Sequence, residues 1–128
     1  MPAINLEKLS WKDVETYLGS DNRIILPVGS TEQHGKFAPL GTDTYVATAI
    51  ADGAAQETGV LVAPPLWFGW SPHHLVKPGT ISVRAEILIE VLSDTIASLA
   101  THGFTCFVVV NGHRIVNIPW MQIAAERA

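Results

Sequence analysis

Charge is scarce in this chain: only 16% of its 128 residues are Asp, Glu, Lys or Arg, and the formal net charge is −4. With no cluster of Lys and Arg, the electrostatic footprint of a nucleic-acid-binding protein is missing. Cysteine is nearly absent. Cys106 stands alone, which excludes an internal disulfide and a cysteine metal knuckle. Its place in an apolar, strand-like run predicts a buried, inert thiol. No apolar run approaches the ~18 residues that a membrane-spanning helix needs. The N-terminal residues 1–7 lack the basic and apolar regions of a leader. There is no Walker sequence, no glycine-rich dinucleotide fingerprint, no internal repeat and no low-complexity tract. The expectation is a cytoplasmic protein with neither nucleic-acid nor membrane partners.

What the chain does contain is apolar material. At 48% hydrophobic it can bury one substantial core, so a single domain over residues 1–128 is expected. So few charges leave little to cover the surface. Some of the apolar surface is therefore expected to lie against another chain.

Residues 23–28 are short, β-branched and apolar, bounded by Asp21-Asn22 and Gly29, which predicts a strand buried on both faces. Two similar runs follow, at residues 60–63 and 105–110. Four helices are expected. The first starts at Ser10 as N-cap, with Asp13 at the third position, and stops at Gly19. The second runs from Thr42 or Asp43 to about residue 57, with Val46, Ala49, Ile50, Gly53 and Ala54 facing the core and Gly59 ending it. The third covers about 84–102, with Ser82 as candidate N-cap and a core stripe of Leu88, Leu92, Ile96 and Leu99. The fourth starts near Asn117 or Ile118 with Pro119 in its first turn. This alternation predicts an α/β fold: a mainly parallel sheet flanked by helices in three layers, with its sites at the carboxyl ends of the strands.

Chemistry collects at two of those ends. After the first strand come Glu32 and His34, two residues apart and so on one side of an extended segment, and then Asp43. After the third comes His113. Asp43 also reads as a helix cap and Glu32 as a loop residue, but the four together suit a divalent ion such as zinc or manganese. One carboxylate bridging two ions would suit a two-metal hydrolase. The long loop 66–82 is rich in Trp, Gly, Pro and His, and reads as functional. Its Trp67, Phe68 and Trp70 fit a pocket wall or a subunit interface equally. No nucleophilic triad is visible, because Ser30 lacks the strand-to-helix elbow.

These residues resemble the creatininase (creatinine amidohydrolase) family of metal-dependent amidohydrolases. The resemblance rests on Leu26-Pro27-Val28-Gly29-Ser30-Thr31-Glu32-Gln33-His34-Gly35 and on Pro39-Leu40-Gly41-Thr42-Asp43-Thr44. It continues in Gly69-Trp70-Ser71-Pro72-His73-His74, in Pro78-Gly79-Thr80-Ile81-Ser82 and in Val109-Val110-Asn111-Gly112-His113, all in order. It implies Glu32, His34, Asp43 and His113 as the metal ligands that carry catalysis, with Asp43 bridging. It implies substrate contacts from Ser71 and from Arg114, which stands where creatininase has a tyrosine. His74 matches a family histidine of the central loop, with a role toward substrate, loop or subunit contact. The implied activity is hydrolysis of a small cyclic amide or related carbonyl compound through metal-activated water. Ring opening of an oxidised cyclitol is the alternative, and a non-catalytic metal- or partner-binding member is another. A homo-oligomer is implied as well.

The chain also departs from the family. Ile115 stands where creatininase has a glutamate, and the segment after His113 differs from other members. Family members are about twice as long, so the chain resembles only their N-terminal half and is expected to stop inside a helix. If Asp43 bridges, four residues provide five metal bonds where two three-ligand ions need six. The sixth is expected from a second polypeptide or a separated remainder, if at all.

Overall fold

In the computed structural model, which describes residues 4–128 apart from the side chain of Ile115, the first apolar run forms the middle of the sheet. β1 (Arg23–Val28) pairs in parallel with β2 (Leu61–Val62) on one side and with β3 (Cys106–Asn111) on the other. Every β1 residue after Arg23 is buried. Its side chains alternate between faces. Ile24, Leu26 and Val28 enter one core cluster with Leu88, Leu92, Phe104 and Trp120, while Ile25 enters another with Ala51, Ala55, Val60 and Val62. Met1, Pro2 and Ala3 of the stretch read for a leader lie outside the described residues.

Four helices cover the sheet. α1 (Trp11–Leu18) begins at Ser10 with a full capping box to Asp13 and ends at Gly19, as the sequence predicts. α2 (Thr42–Thr58) lies over one face, and α3 (Ala85–Thr101) and α4 (Arg114–Arg127) pack on the other. The result is the expected three-layer α/β arrangement. No helix of the described residues is long and apolar enough to cross a membrane.

Several expectations are corrected. The buried side of α2 is Asp43, Thr44, Ala47, Ala51 and Ala55, whereas Val46, Ala49, Ile50, Gly53 and Ala54 are exposed. The reason is close approach. A Cβ at Gly29 would collide with the backbone and side chain of Thr44, and one at Gly112 with the Asp43 carbonyl. At that distance from the sheet only alanine-sized contacts fit, and the larger apolar residues turn outward. α3 starts from Arg84 rather than Ser82, whose hydroxyl instead accepts from the Ser71 N–H at 2.8 Å. α4 starts at Arg114, so Pro119 falls inside it. Asn111 explains the earlier start: its side chain accepts from the His113 N–H and donates to the His113 and Arg114 carbonyls. Cys106 is exposed, not buried. β3 is an edge strand among the described residues, and Cys106 and Val108 share a side of it that stays exposed, while Val110 further along packs against the α2-side cluster.

Candidate metal centre

The site lies where β1 and β3 end side by side. The chain leaves β1 toward α2 on one face and leaves β3 toward α4 on the other, which opens a crevice at the carboxyl ends. Glu32 and His34 come from the loop after β1, His113 from the turn after β3, and Asp43 from the first turn of α2.

Asp43 is not used as a cap. The N-cap of α2 is Gly41, with no side-chain cap bond, and the Asp43 carboxylate is turned into the crevice. Its two oxygens face two imidazoles. Oδ1 is 2.9 Å from His34 Nε2, and Oδ2 is 2.9 Å from His113 Nδ1. Glu32 Oε1 is also near His113 Nδ1, at 3.0 Å. Glu32, Asp43 and His113 are all buried, and each offers a ligand atom within 4.8 Å of the others.

The far nitrogen of each ring determines what the near one can do. His34 Nδ1 lies 3.1 Å from the Glu32 carbonyl, and His113 Nε2 lies 3.1 Å from the Trp70 carbonyl. A carbonyl only accepts, so each ring spends an N–H there. What a neutral ring then turns toward Asp43 is a lone pair. In that tautomer, lone pairs from His113, Asp43 and Glu32 converge with no hydrogen between them. The arrangement calls for a cation, and anchoring the second ring N–H to a backbone carbonyl is how metal-ligating histidines are held. Among the described residues neither carboxylate has a Lys or Arg within ion-pairing distance; the side chains nearest them are imidazoles. Glu32 Oε2 is buried with no hydrogen-bond partner. The donor set fits a divalent ion.

The four residues are not equivalent. Glu32, Asp43 and His113 converge on one point, while His34 meets only the other oxygen of Asp43 and is a quarter exposed. One position has three ligand groups and the other has two. Burial acts to lower the His34 pKa. The Glu32 carbonyl it donates to and the negative charges of Asp43 and Glu32 outweigh that, and the pKa ends above its ordinary value.

Ser71, read as a substrate contact, is fully buried behind His113. Its hydroxyl lies 3.1 Å from His113 Nε2 and 2.9 Å from the Ser30 hydroxyl, and it is not among the residues that line the cleft. Arg114 and His74 do line the cleft, a space of about 250 Å³ over the ligand groups, together with His73 and Val116. Trp67 packs edge-on against Tyr45 at 5.5 Å, outside that lining. Gln33, Asn111 and Asn117 are supports that sequence reasoning missed. Asn117 is fully buried, donates to the Gly29 carbonyl and accepts from Trp120 Nε1.

A family model described as creatinine amidohydrolase matches residues 7–128. The chain is 40% identical over 111 residues to a 3-dehydro-scyllo-inosose hydrolase of Thermotoga maritima, covering 86% of this chain and 36% of that protein. It is 34% identical over 112 residues to the creatinine amidohydrolase of Pseudomonas putida, covering 83% and 43%. A mycofactocin precursor peptide peptidase of Mycolicibacterium smegmatis is 41% identical over 96 residues, covering 70% and 38%. The crystal structure of creatinine amidohydrolase superposes with a TM-score of 0.92 at 30% identity, over 98% of this chain and 51% of that one. Solved creatininases include zinc–zinc and manganese forms. The chain thus spans well under half the length of these curated relatives and about half of the solved structure.

Proposed function

The chain belongs to the creatininase family, and from that premise we propose that it is a metal-dependent hydrolase part whose residues around Asp43 would hold divalent ions, zinc or manganese. The observation that carries this reading is the disposition of the two imidazoles. Each spends one N–H on a backbone carbonyl and aims its other nitrogen at a different oxygen of Asp43. Glu32, Asp43 and His113 would hold one ion, and His34 with Asp43 the second. Metal bound there supplies Lewis acidity and activates water.

The chain's own residues do the rest. The two buried carboxylates provide the negative charge that retains cations, and their burial strengthens that attraction. The Ser30–Ser71–Trp70 contacts hold the His113 ring so that it need not reorganise. Arg114 at the cleft mouth suits an anionic or polyhydroxylated compound. The substrate class is a small cyclic carbonyl compound, either a cyclic amide or an oxidised cyclitol. The relative named as a dehydro-inosose hydrolase supports the second.

Among the described residues, the position beside His34 has no third ligand. We place that ligand on a second copy of the chain or on a further polypeptide. The outward apolar side chains of α2 (Tyr45, Val46 and Ile50) and the unpaired edge of β3 support such a partner. A cytoplasmic setting agrees with the lone unpaired Cys106.

Elemental analysis, with hydrolysis assays on creatinine and on an oxidised cyclitol, tests the reading. Bound zinc or manganese and turnover abolished by a chelator are expected. Retention of no divalent metal would overturn it. Metal without turnover would leave a binding member.

A further inference from the structure

The cleft contains two imidazoles that the metal reading does not use, those of His73 and His74, and of these His74 faces a proposed ligand. His74 sits in a short 3-10 turn (Pro72–His74) of the central loop, half-buried and tilted at 45° against His73, with 4.1 Å between ring centroids. Its two nitrogens have different neighbours. Nδ1 is 2.7 Å from Gln33 Nε2, and Nε2 faces Glu32 Oε2 at 3.7 Å.

The tautomer of this ring follows from the Gln33 amide. Gly35 N–H donates to Gln33 Oε1 at 3.0 Å, so the oxygen of the amide must point there and its NH2 must point at His74. An amide nitrogen has no lone pair to offer, so His74 Nδ1 is the acceptor. A neutral His74 then carries its hydrogen on Nε2, toward Glu32. The opposite tautomer would set a lone pair against Glu32 Oε2, a buried carboxylate oxygen without a hydrogen-bond partner. At 3.7 Å the contact is longer than a hydrogen bond, yet its sign is decided by where the hydrogen sits. Gln33 is itself fixed to the central loop, because its backbone N–H donates to Thr80 Oγ1 at 3.1 Å.

We infer that His74, held as its Nε2–H tautomer by Gln33, is a positioning residue for Glu32. It attracts the outer oxygen of that carboxylate and thereby presents the inner one, Oε1, to the site beside His113. The role rests on the reading of Glu32 as a ligand and goes beyond it. It makes the Gly35–Gln33–His74 chain the support of the ligand that otherwise has the fewest bonds. Supports of this kind alter metal affinity by about 10- to 100-fold.

Two measurements test it. Two-bond 1H–15N correlation on the metal-free protein, at a pH where imidazoles are neutral, should show the Nε2–H form of His74. In Gln33→Leu that preference should relax to a mixture. Zinc affinity, read by competition with a chelating dye, should fall about 10- to 100-fold in His74→Leu and less in Gln33→Leu. His74→Gln, whose amide nitrogen can occupy the place of Nε2–H, should restore most of it. An Nδ1–H tautomer in the unaltered protein would overturn the inference. So would a His74→Leu protein that binds zinc like the unaltered one, or a His74→Gln protein no better than His74→Leu. Absence of zinc binding in every protein, with the Nε2–H tautomer intact, would sink the metal reading instead and take the role with it.

Discussion

The two faces of the sheet are built from different residues for different purposes. On one, α3 and α4 bring Leu88, Ile89, Leu92, Ile96 and Trp120 against Ile24, Leu26 and Val28, with Phe104 fully buried among them. On the other, α2 presents Ala47, Ala51 and Ala55, and the buried cluster there has few large side chains. The first face removes more apolar area from water and supplies more of the stability. The second gives up area for proximity. Its alanines, with Gly29 and Gly112, let the first turn of α2 touch the ends of β1 and β3, which places Asp43 between His34 and His113. A larger interface would hold α2 farther from the sheet, and the carboxylate would miss at least one imidazole. Packing economy on this face is a positioning device.

Substitutions can separate the two roles. Asp43→Asn should have the largest effect on chemistry, abolishing tight zinc or manganese binding and any hydrolytic turnover while leaving the thermal midpoint of the metal-free protein nearly unchanged. Full metal stoichiometry with full turnover would refute the bridge. Leu92→Ala strikes the opposite face and should cost about 2–5 kcal/mol in denaturant unfolding. Metal content per folded molecule should stay the same; a proportionate loss of metal would break the division between faces. Ala51→Leu should cost less, about 1–3 kcal/mol, by overpacking the close face. It should nevertheless weaken metal binding more than Leu92→Ala does, because it lifts α2.

The smallest effect belongs to a site on neither face. At the start of β1, Arg23 makes two charged hydrogen bonds to Asp21, at 2.9 and 2.7 Å, and these bonds hold the Asp21 pKa down from its ordinary 3.8 to about 2. A carboxylate with a depressed folded pKa stabilises the protein above its unfolded value, and the contribution is lost as pH falls through about 2. Asp21→Asn should therefore lower the unfolding midpoint slightly at neutral pH, with the difference closing in strong acid and metal binding untouched. A difference that persists at low pH would assign it to packing.

Much of this was legible in the residues. The capping box of Ser10 and Asp13, the bounds of β1 and the stops at Gly19 and Gly59 are local signals, decided within one turn or one strand. Glu32, His34, Asp43 and His113 were legible as ligand types at strand ends. The buried face of α2 was not, since hydrophobicity favours Val46 and Ile50 and only the distance to the sheet favours alanine. Nor was the start of α4, which depends on the Asn111 side chain, or the exposure of Cys106, which depends on where β3 lies in the sheet.

The sequence by itself therefore determined the elements, the parallel character of the sheet and the chemistry available at two strand ends, because hydrophobic period, caps and residue types act over short distances. Tertiary structure alone decided that three of the four groups converge while His34 meets only the far oxygen of Asp43. It also decided that Ser71 stands behind His113 and that Gln33 sets the tautomer of His74. Those outcomes turn on angstroms between segments far apart in the chain, set by how closely α2 and the central loop can approach the sheet.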